Sequence, residues 1–279
     1  MSARIACRLL IACVWIGGTA GTVQAQTAGP DDFAHFAYDR NASLNMKQIS
    51  AKVRDGVTVH DITYTGSNGD TVPAYLVIPK GAGKFAGIIW GHWMMQGAAN
   101  SNRSEFLEEA VALAHAGVVS LLVDAPPNRP DFKPPAGPET LAQQIVDIRR
   151  GVDLLLSRSD IDARRIAYVG HSFDAAIGAA LDATDKRFTT FVFMSGPQNS
   201  DKQVRWTNPA TYANSFGPAP ALFQYGLHDE LIPLAHAKDY VAMVSGPKTV
   251  EFYDAGHALN GKAQADRDSF LKKALNLNR

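Results

Sequence analysis

The chain of 279 residues carries 27 basic and 27 acidic side chains, and 46% of its residues are hydrophobic. A balanced charge without a basic patch argues against a nucleic-acid-binding protein. The apolar fraction is that of an ordinary globular protein, and the length permits one α/β domain or two small domains. The composition therefore favours a small partner that is uncharged or weakly charged.

The first 25 residues have the three parts of a signal peptide. Arg4 and Arg8 form a basic start, residues 9–16 form an apolar core, and Val-Gln-Ala at residues 23–25 fits a cleavage site. The apolar core is too short to predict a membrane span, so we expect no stable membrane association. The sequence predicts a signal peptide over residues 1–25 and export to the periplasm or outside the cell.

Both cysteines of the chain, Cys7 and Cys13, lie inside this predicted signal peptide. A lipoprotein signal ending at Cys13 is an alternative, although few apolar residues precede that cysteine. Removal of the segment would leave a mature chain without a thiol, which excludes disulfides, a cysteine nucleophile and a cysteine-ligated metal. We expect neither a metal nor another cofactor.

Strand and helix patterns alternate through the rest of the chain. Residues 26–55 predict an N-terminal arm or short helix laid over the core. Residues 57–64 and 72–78 predict a hairpin, because glycine and asparagine between them are typical of turns. The strands predicted after the hairpin are residues 86–90, 118–123, 166–169, 188–194, 221–225 and 249–253, and the helices are residues 105–116, 141–155, 175–180, 234–244 and 262–275.

This order predicts an α/β fold with a mostly parallel sheet of about eight strands and helices on both faces. Residues 56–279 form one predicted domain, since no repeat or low-complexity linker divides them. The segment between residues 196 and 220 is too short for a large cap domain. In such sheets, ligands bind at the carboxyl ends of the strands, where the loops converge.

The stretch from residue 165 to residue 180 places a serine on a sharp corner. Its sequence, RIAYVGHSFDAAIGAA, runs from an apolar strand through Gly170 and Ser172 into a small-residue helix. Such a strand–turn–helix exposes the serine hydroxyl above the sheet, close to the N–H groups at the helix start. The motif G-x-S-x-G is matched except for its second glycine, where the chain has Asp174.

A serine hydroxyl becomes a nucleophile only when a base takes its proton and a third group orients that base. Two polar residues follow later strands in the order expected for such partners, which is acid and then histidine. Asp229 lies after the strand at residues 221–225, and His257 lies after the strand at residues 249–253. A purely structural Ser172 at a helix cap, and Glu230 as the acid in place of Asp229, are the alternatives.

The chain resembles the α/β-hydrolase superfamily, in particular its dienelactone-hydrolase-like and prolyl-oligopeptidase-like esterase branches. The resemblance implies that Ser172 is the nucleophile, His257 the base and Asp229 the orienting acid of an exported serine hydrolase. It implies cleavage of a small-molecule carboxylic ester through an acyl-enzyme. Dienelactone hydrolases typically use cysteine as the nucleophile, so the serine points to ester hydrolysis in general and not to the dienelactone reaction. The segments that carry the resemblance are PAYLVIP at residues 73–79, GHSFDA at residues 170–175, GLHDELIP at residues 226–233 and AGHA at residues 255–258.

The resemblance also implies an oxyanion hole made of main-chain N–H groups. Phe173 is the first expected donor, and Trp93 is the second, with His92 as the neighbouring alternative, because the chain has Gly-His-Trp where the superfamily usually has His-Gly. We predict that His92, Met94 and Trp206 contact the substrate, the two large apolar side chains lining a pocket. Core packing is the alternative for those two.

Asp174 is the main departure from the family pattern. The position two after the nucleophile is normally tiny, because helix and strand approach closely there. A carboxylate adds bulk and charge, although the first turn of a helix favours a negative group. A tolerated variant, altered selectivity and slow hydrolysis are all open, and so are a non-catalytic binding protein and a peptidase.

Two further groups of polar residues are interpreted from their position in the predicted elements. Arg149, Arg150 and Asp153 predict an exposed helix face. Asn128 and Arg129 lie in a proline-rich loop, where they face solvent or bind substrate. The oligomeric state does not follow from the sequence.

Overall fold

The computed structural model describes residues 27–95, 97–133, 136–198 and 203–277. The predicted signal peptide and both cysteines lie outside these residues. Within this part of the chain, no helix is long and apolar enough to cross a membrane.

The described residues form one sheet of nine strands in the order β1-β2-β3-β5-β4-β6-β7-β8-β9. β1, β2 and β3 pair antiparallel, as do β3 and β5, and every pair from β5 to β9 along the sheet is parallel. The mostly parallel sheet is therefore confirmed. The strands are β1 Lys47–Arg54, β2 Val57–Thr65, β3 Thr71–Ile78, β4 Phe85–Gly91, β5 Val118–Val123, β6 Ile161–His171, β7 Thr190–Met194, β8 Ala221–Gly226 and β9 Lys248–Tyr253.

Helices cover both faces of the sheet. α3, α4 and α5 pack on one apolar cluster, and α2 and α6 pack on the other. β4 and β5 are buried along their whole length, which explains why they read as continuous apolar runs. The helices are α1 Pro30–Ala34, α2 Leu107–Ala114, α3 Pro138–Leu156, α4 Phe173–Thr184, α5 Leu234–Met243 and α6 Gly261–Ala274.

β1 is the strand that the sequence pattern does not predict. It lies at the edge of the sheet, and all eight of its residues are exposed. An edge strand without a buried face has no apolar alternation, so its residues read as part of an irregular arm.

The segment between β7 and β8 packs on the core instead of forming a separate cap. Its described part contains three 3₁₀ turns, Arg205–Thr207, Pro209–Thr211 and Ala213–Ser215. Tyr212 and Phe216 from this segment are buried in the cluster beneath α4 and α5. No large cap is evident in the described chain, as expected.

Two arginines are buried: Arg150, which was predicted on an exposed helix face, and Arg129, which was predicted to face solvent or to bind substrate. Arg150 in α3 is 2% exposed and donates to the carbonyl oxygens of Thr65, Asp39, Ala42 and Ser43. Arg129 is paired with Asp147 at 2.6 Å, and both side chains are buried. The exposed face predicted for Arg150 was wrong because helical charge spacing does not show which loops will cover a helix face. The solvent-exposed position predicted for Arg129 was wrong because a loop sequence does not show that Asp147 of α3 will pair with it.

Candidate active site

The turn between β6 and α4 holds Ser172 in a strained backbone conformation. Its φ is 53° and its ψ is −103°, in a sparsely populated region for a residue with a side chain. The Ser172 N–H donates to the carbonyl of Met194 on β7 at 2.8 Å. A Cβ on Gly170 would lie 2.7 Å from main-chain atoms of Asp174, so only glycine fits there. This geometry is that of the predicted nucleophile elbow.

Ser172, His257 and Asp229 form one hydrogen-bonded chain. His257 Nε2 lies 2.8 Å from Ser172 Oγ, and His257 Nδ1 lies 2.9 Å from Asp229 Oδ2 and 3.0 Å from Oδ1. β6, β8 and β9 deliver the three side chains, because their carboxyl ends open at the same edge of the sheet. The structure brings together all three residues that the sequence singled out.

The carboxylate of Asp229 is held in place by main-chain N–H groups, so that it can orient the imidazole of His257. Its Oδ1 accepts main-chain N–H groups from Leu231 and Ile232, at 2.8 and 2.9 Å. Burial alone would raise the pKa of Asp229, but the hydrogen bonds from His257 and from these N–H groups hold it below its usual value. Asp229 therefore stays ionised at neutral pH beside Nδ1 of His257. Glu230, the alternative acid, makes no such contact among the described residues.

Only one of the two predicted oxyanion donors is free. The N–H of Phe173 has no partner among the described residues, as an oxyanion donor requires. The N–H of Trp93 donates instead to Glu105 Oε2 at 2.7 Å. This contradicts the prediction of Trp93 as a free second donor, because the carboxylate of Glu105 already accepts a hydrogen bond from that N–H.

His92 does not face the site as a substrate ligand. Its ring is buried, with Nδ1 2.7 Å from the carbonyl of Trp93 and Nε2 accepting the N–H of Ala125 at 3.0 Å. Burial lowers the pKa of His92, so the ring is neutral. The prediction of substrate contact was wrong, since both ring nitrogens are used to hold the loop after β4 to the loop after β5.

Trp206 packs against the N-terminal arm from the segment between β7 and β8. Its ring stacks on His35 at 4.0 Å between centroids and meets the edge of Phe36 at 6.2 Å. The predicted pocket role is therefore replaced by the packing alternative. Met94 is half-buried in the loop after β4, and its contact with a substrate stays a prediction.

Asp174 is accommodated by the end of β4. Its side chain is 0% exposed, and a Cβ on Gly91 would lie 2.4 Å from its Cγ. The motif normally has a glycine at position 174, which leaves space between the helix and the strand. Here Gly91 on the strand leaves that space, and the side chain of Asp174 fills it. Gln144 donates to Asp174 Oδ1 at 2.9 Å, and Oδ2 has no partner among the described residues.

Burial raises the pKa of Asp174 to about 8. The carboxyl group is therefore mostly neutral at pH 7, and the helix dipole is not what stabilises it. The expected conflict between Asp174 and a nearby oxyanion is reduced, because the group is uncharged.

Sequence reasoning missed the polar residues that surround the triad. Glu105 lies before α2 and contacts both Trp93 and His171. Ser195 follows β7 and donates to the His257 carbonyl at 2.6 Å. The position of Ser195 at a strand end is a signal that could have been used, whereas nothing in the sequence marks Glu105. Among the described residues, no three His, Cys, Asp or Glu side chains are grouped to hold a metal ion.

Comparison with known proteins gives similarity in structure alone. No protein-family model matches the chain. No curated protein matches its sequence. The acetyl xylan esterase of Paenibacillus sp. R4 is 18% identical with a TM-score of 0.67, and 88% of this chain and 92% of that chain are covered. Acetyl xylan esterase 1 of Thermoanaerobacterium sp. JW/SL YS485 is 14% identical with a TM-score of 0.68, covering 91% and 96%.

A third solved structure carries the name expected from the sequence motifs. The putative dienelactone hydrolase of Klebsiella pneumoniae subsp. pneumoniae MGH 78578 is 17% identical with a TM-score of 0.58, and 75% of this chain and 94% of that chain are covered. Identities at this level show a shared fold. The chain has the α/β-hydrolase fold, as the elbow and strand order predict.

Proposed function

We propose that the protein is an exported serine hydrolase that cleaves carboxylic esters through an acyl-enzyme. The observation that carries the proposal is the hydrogen-bonded chain from Asp229 through His257 to Ser172, whose Oγ lies 2.8 Å from the base. A strained serine at a helix start, with a base in reach and an orienting carboxylate behind it, is the arrangement that activates a hydroxyl. Export rests on the signal-peptide pattern alone.

In the first half of the reaction, Ser172 Oγ attacks the ester carbonyl carbon while His257 Nε2 takes the hydroxyl proton. The carbonyl oxygen becomes an oxyanion beside the N–H of Phe173, and Asp229 stabilises the imidazolium. The C–O bond to the alcohol then breaks, and His257 returns the proton to the leaving oxygen. The products of this half are the free alcohol and an ester of Ser172.

In the second half, water replaces the alcohol. His257 takes a proton from the water as its oxygen attacks the acyl carbon, and the same N–H stabilises the new oxyanion. The bond to Ser172 Oγ breaks as the proton passes to that oxygen. The carboxylic acid leaves and the resting enzyme is restored.

A short-chain ester is the first substrate to test. Two of the structural neighbours are acetyl xylan esterases by name, so an acetyl group on a small alcohol is a reasonable substrate class. Release of nitrophenol from p-nitrophenyl acetate measures this activity directly. A series of longer acyl chains would then give the preferred acyl length.

Replacement of Ser172 by alanine is expected to lower kcat/KM for p-nitrophenyl acetate by at least about a thousandfold. The control is Ser50→Ala, which removes an exposed hydroxyl on β1. Equal rates in the parent and in Ser172→Ala would overturn the proposal.

A fluorophosphonate probe tests the same serine without choosing a substrate. The parent and Ser50→Ala should be labelled, and Ser172→Ala should not, because labelling requires an activated hydroxyl. An unlabelled parent that is fully folded would favour the non-catalytic binding protein.

A further inference from the structure

We infer that Glu105 and His171 form a buried positioning pair that fixes the main chain of His257 and the loop after β4. This inference rests on the proposed function, because it gives the pair a role in holding the base of that reaction. Neither side chain is hydrogen-bonded to Ser172 Oγ, so both would act through the groups that they hold.

The pair is a second contact between a carboxylate and an imidazole, next to the first. His171 Nδ1 lies 2.5 Å from Glu105 Oε1, and the two side chains are only 1% and 8% exposed. His171 Nε2 lies 3.0 Å from the main-chain carbonyl of His257. A carbonyl oxygen only accepts, so Nε2 carries the proton of that bond.

The second carboxylate oxygen of Glu105 extends the contact to the loop after β4. Oε2 accepts the N–H of Trp93 at 2.7 Å. The indole of Trp93 stacks on His171, with 5.1 Å between ring centroids and 15° between ring planes. Glu105 and His171 together thus connect the end of β6, the loop after β4 and the loop after β9.

The position of His257 depends on contacts to its ring and to its main-chain carbonyl. Its ring is held by Asp229, and its carbonyl accepts both from Ser195 Oγ and from His171 Nε2. The His257 loop has no other described donor to that carbonyl. Loss of the bond from His171 would let the loop shift relative to Ser172, and small errors in such a distance are costly in rate.

Glutamine at position 105 provides the conservative variant. Its side-chain oxygen can accept from Trp93, and its amide can donate to an unprotonated Nδ1, which leaves the proton on Nε2 facing His257. Alanine at position 105 removes both contacts. The pair therefore predicts that Glu105→Gln retains activity that Glu105→Ala loses.

We expect Glu105→Ala to lower kcat for p-nitrophenyl acetate by about 10- to 100-fold, with KM changed by less than about threefold. Glu105→Gln should stay within about threefold of the parent in both constants. The matched control is Glu109→Gln, which removes a nearby carboxylate paired with Arg267 at 2.6 Å. That variant is expected to lose stability and to keep kcat. A Glu105→Ala protein that loses only stability would overturn the inference.

A second measurement does not depend on hydrolysis. In the Ser172→Ala background, the Nε2 proton of His171 should give an NMR signal that exchanges slowly with water, because it is buried against the His257 carbonyl. The signal should persist with Glu105→Gln and be lost with Glu105→Ala. A signal that is absent, or that survives Glu105→Ala, contradicts the pair. A signal that behaves as expected, together with a parent that neither hydrolyses esters nor reacts with fluorophosphonate, overturns the proposed function and leaves the contact supported.

Discussion

Asp174 departs from the G-x-S-x-G motif, and yet Ser172, His257 and Asp229 remain hydrogen-bonded to one another. A carboxyl replaces the glycine expected two positions after the nucleophile, and it is fully buried beside Gly91. One of its oxygens accepts from Gln144, and the other has no described partner. A buried carboxylate without a cation in contact is costly, and the group avoids most of that cost at neutral pH by binding a proton.

The raised pKa of Asp174 makes stability depend on pH. Between an unfolded pKa near 4 and a folded pKa of about 8, the folded state binds the extra proton, so unfolding becomes easier as pH rises. The contribution is fully present below about pH 4 and is lost as the pH rises through about 8. Asp174→Asn stays neutral throughout and has nearly the same shape. The free energy of unfolding of Asp174→Asn, relative to that of the parent, should therefore rise by about 1.4 kcal/mol for each pH unit in this range.

Urea unfolding at pH 5 and at pH 7.5 measures this difference. Asp239→Asn, at an exposed position on α5, is the control and should follow the parent at both values. A constant difference between Asp174→Asn and the parent would show that Asp174 is ionised in the folded protein. Activity of the parent and of Asp174→Asn, compared below and above about pH 8, would show whether the buried charge also affects turnover.

Among the elements, the end of β4 and the first turn of α4 pack so closely that only one of them can carry a side chain at the contact. In the family pattern the helix supplies the small residue, and here the strand supplies it through Gly91. Gly91→Ala should lower the free energy of unfolding by about 1–3 kcal/mol, because the new Cβ overlaps the side chain of Asp174. Asp174→Gly removes that overlap, so the double variant should recover the loss caused by the alanine.

A double-mutant cycle on positions 91 and 174 checks this exchange by urea unfolding. The coupling energy should be about 1–3 kcal/mol in favour of the double variant. Additive effects at the two positions would mean that the strand end and the helix adjust independently. The turn itself should be preserved in all variants, since Gly170 is unchanged.

The elements of the site that could be predicted are those with a local signature. Ser172, Asp229 and His257 each follow an apolar strand, and a parallel sheet places such strand ends at one edge. Glu105 and Trp93 are separated by 12 residues in irregular chain, and their contact leaves no periodic trace. Trp93 was mispredicted as the second oxyanion donor for this reason: a motif identifies the loop and does not show which polar side chain already accepts from one of its N–H groups.

For the whole molecule, the N-terminal arm is held by groups that look like surface residues in the sequence. Arg150 on α3 reaches through the arm and donates to the carbonyls of Asp39, Ala42 and Ser43. It also donates to Thr65 at the end of β2 at 2.6 Å, which joins the arm to the sheet. A helix face that would otherwise be solvated is thus buried by the arm. The burial of this face is a property of the assembled chain and not of its helical pattern.

Arg150→Met keeps an unbranched apolar stem, which is shorter than that of arginine, and removes all of the donors. The carbonyls of the arm then lose their partner, so we expect the free energy of unfolding to fall by about 2–4 kcal/mol. The arm itself should open more often, and trypsin should cut after Arg40 at least about tenfold faster than in the parent. The turnover number per folded molecule should not change, because Arg150 contacts no residue of the triad.

The control is Arg164→Met, at an exposed position on β6, which should leave the free energy of unfolding and the cleavage rate unchanged. Equal cleavage after Arg40 in Arg150→Met and in the parent would mean that the arm is held mainly by its other contacts, such as the stacking of His35 on Trp206.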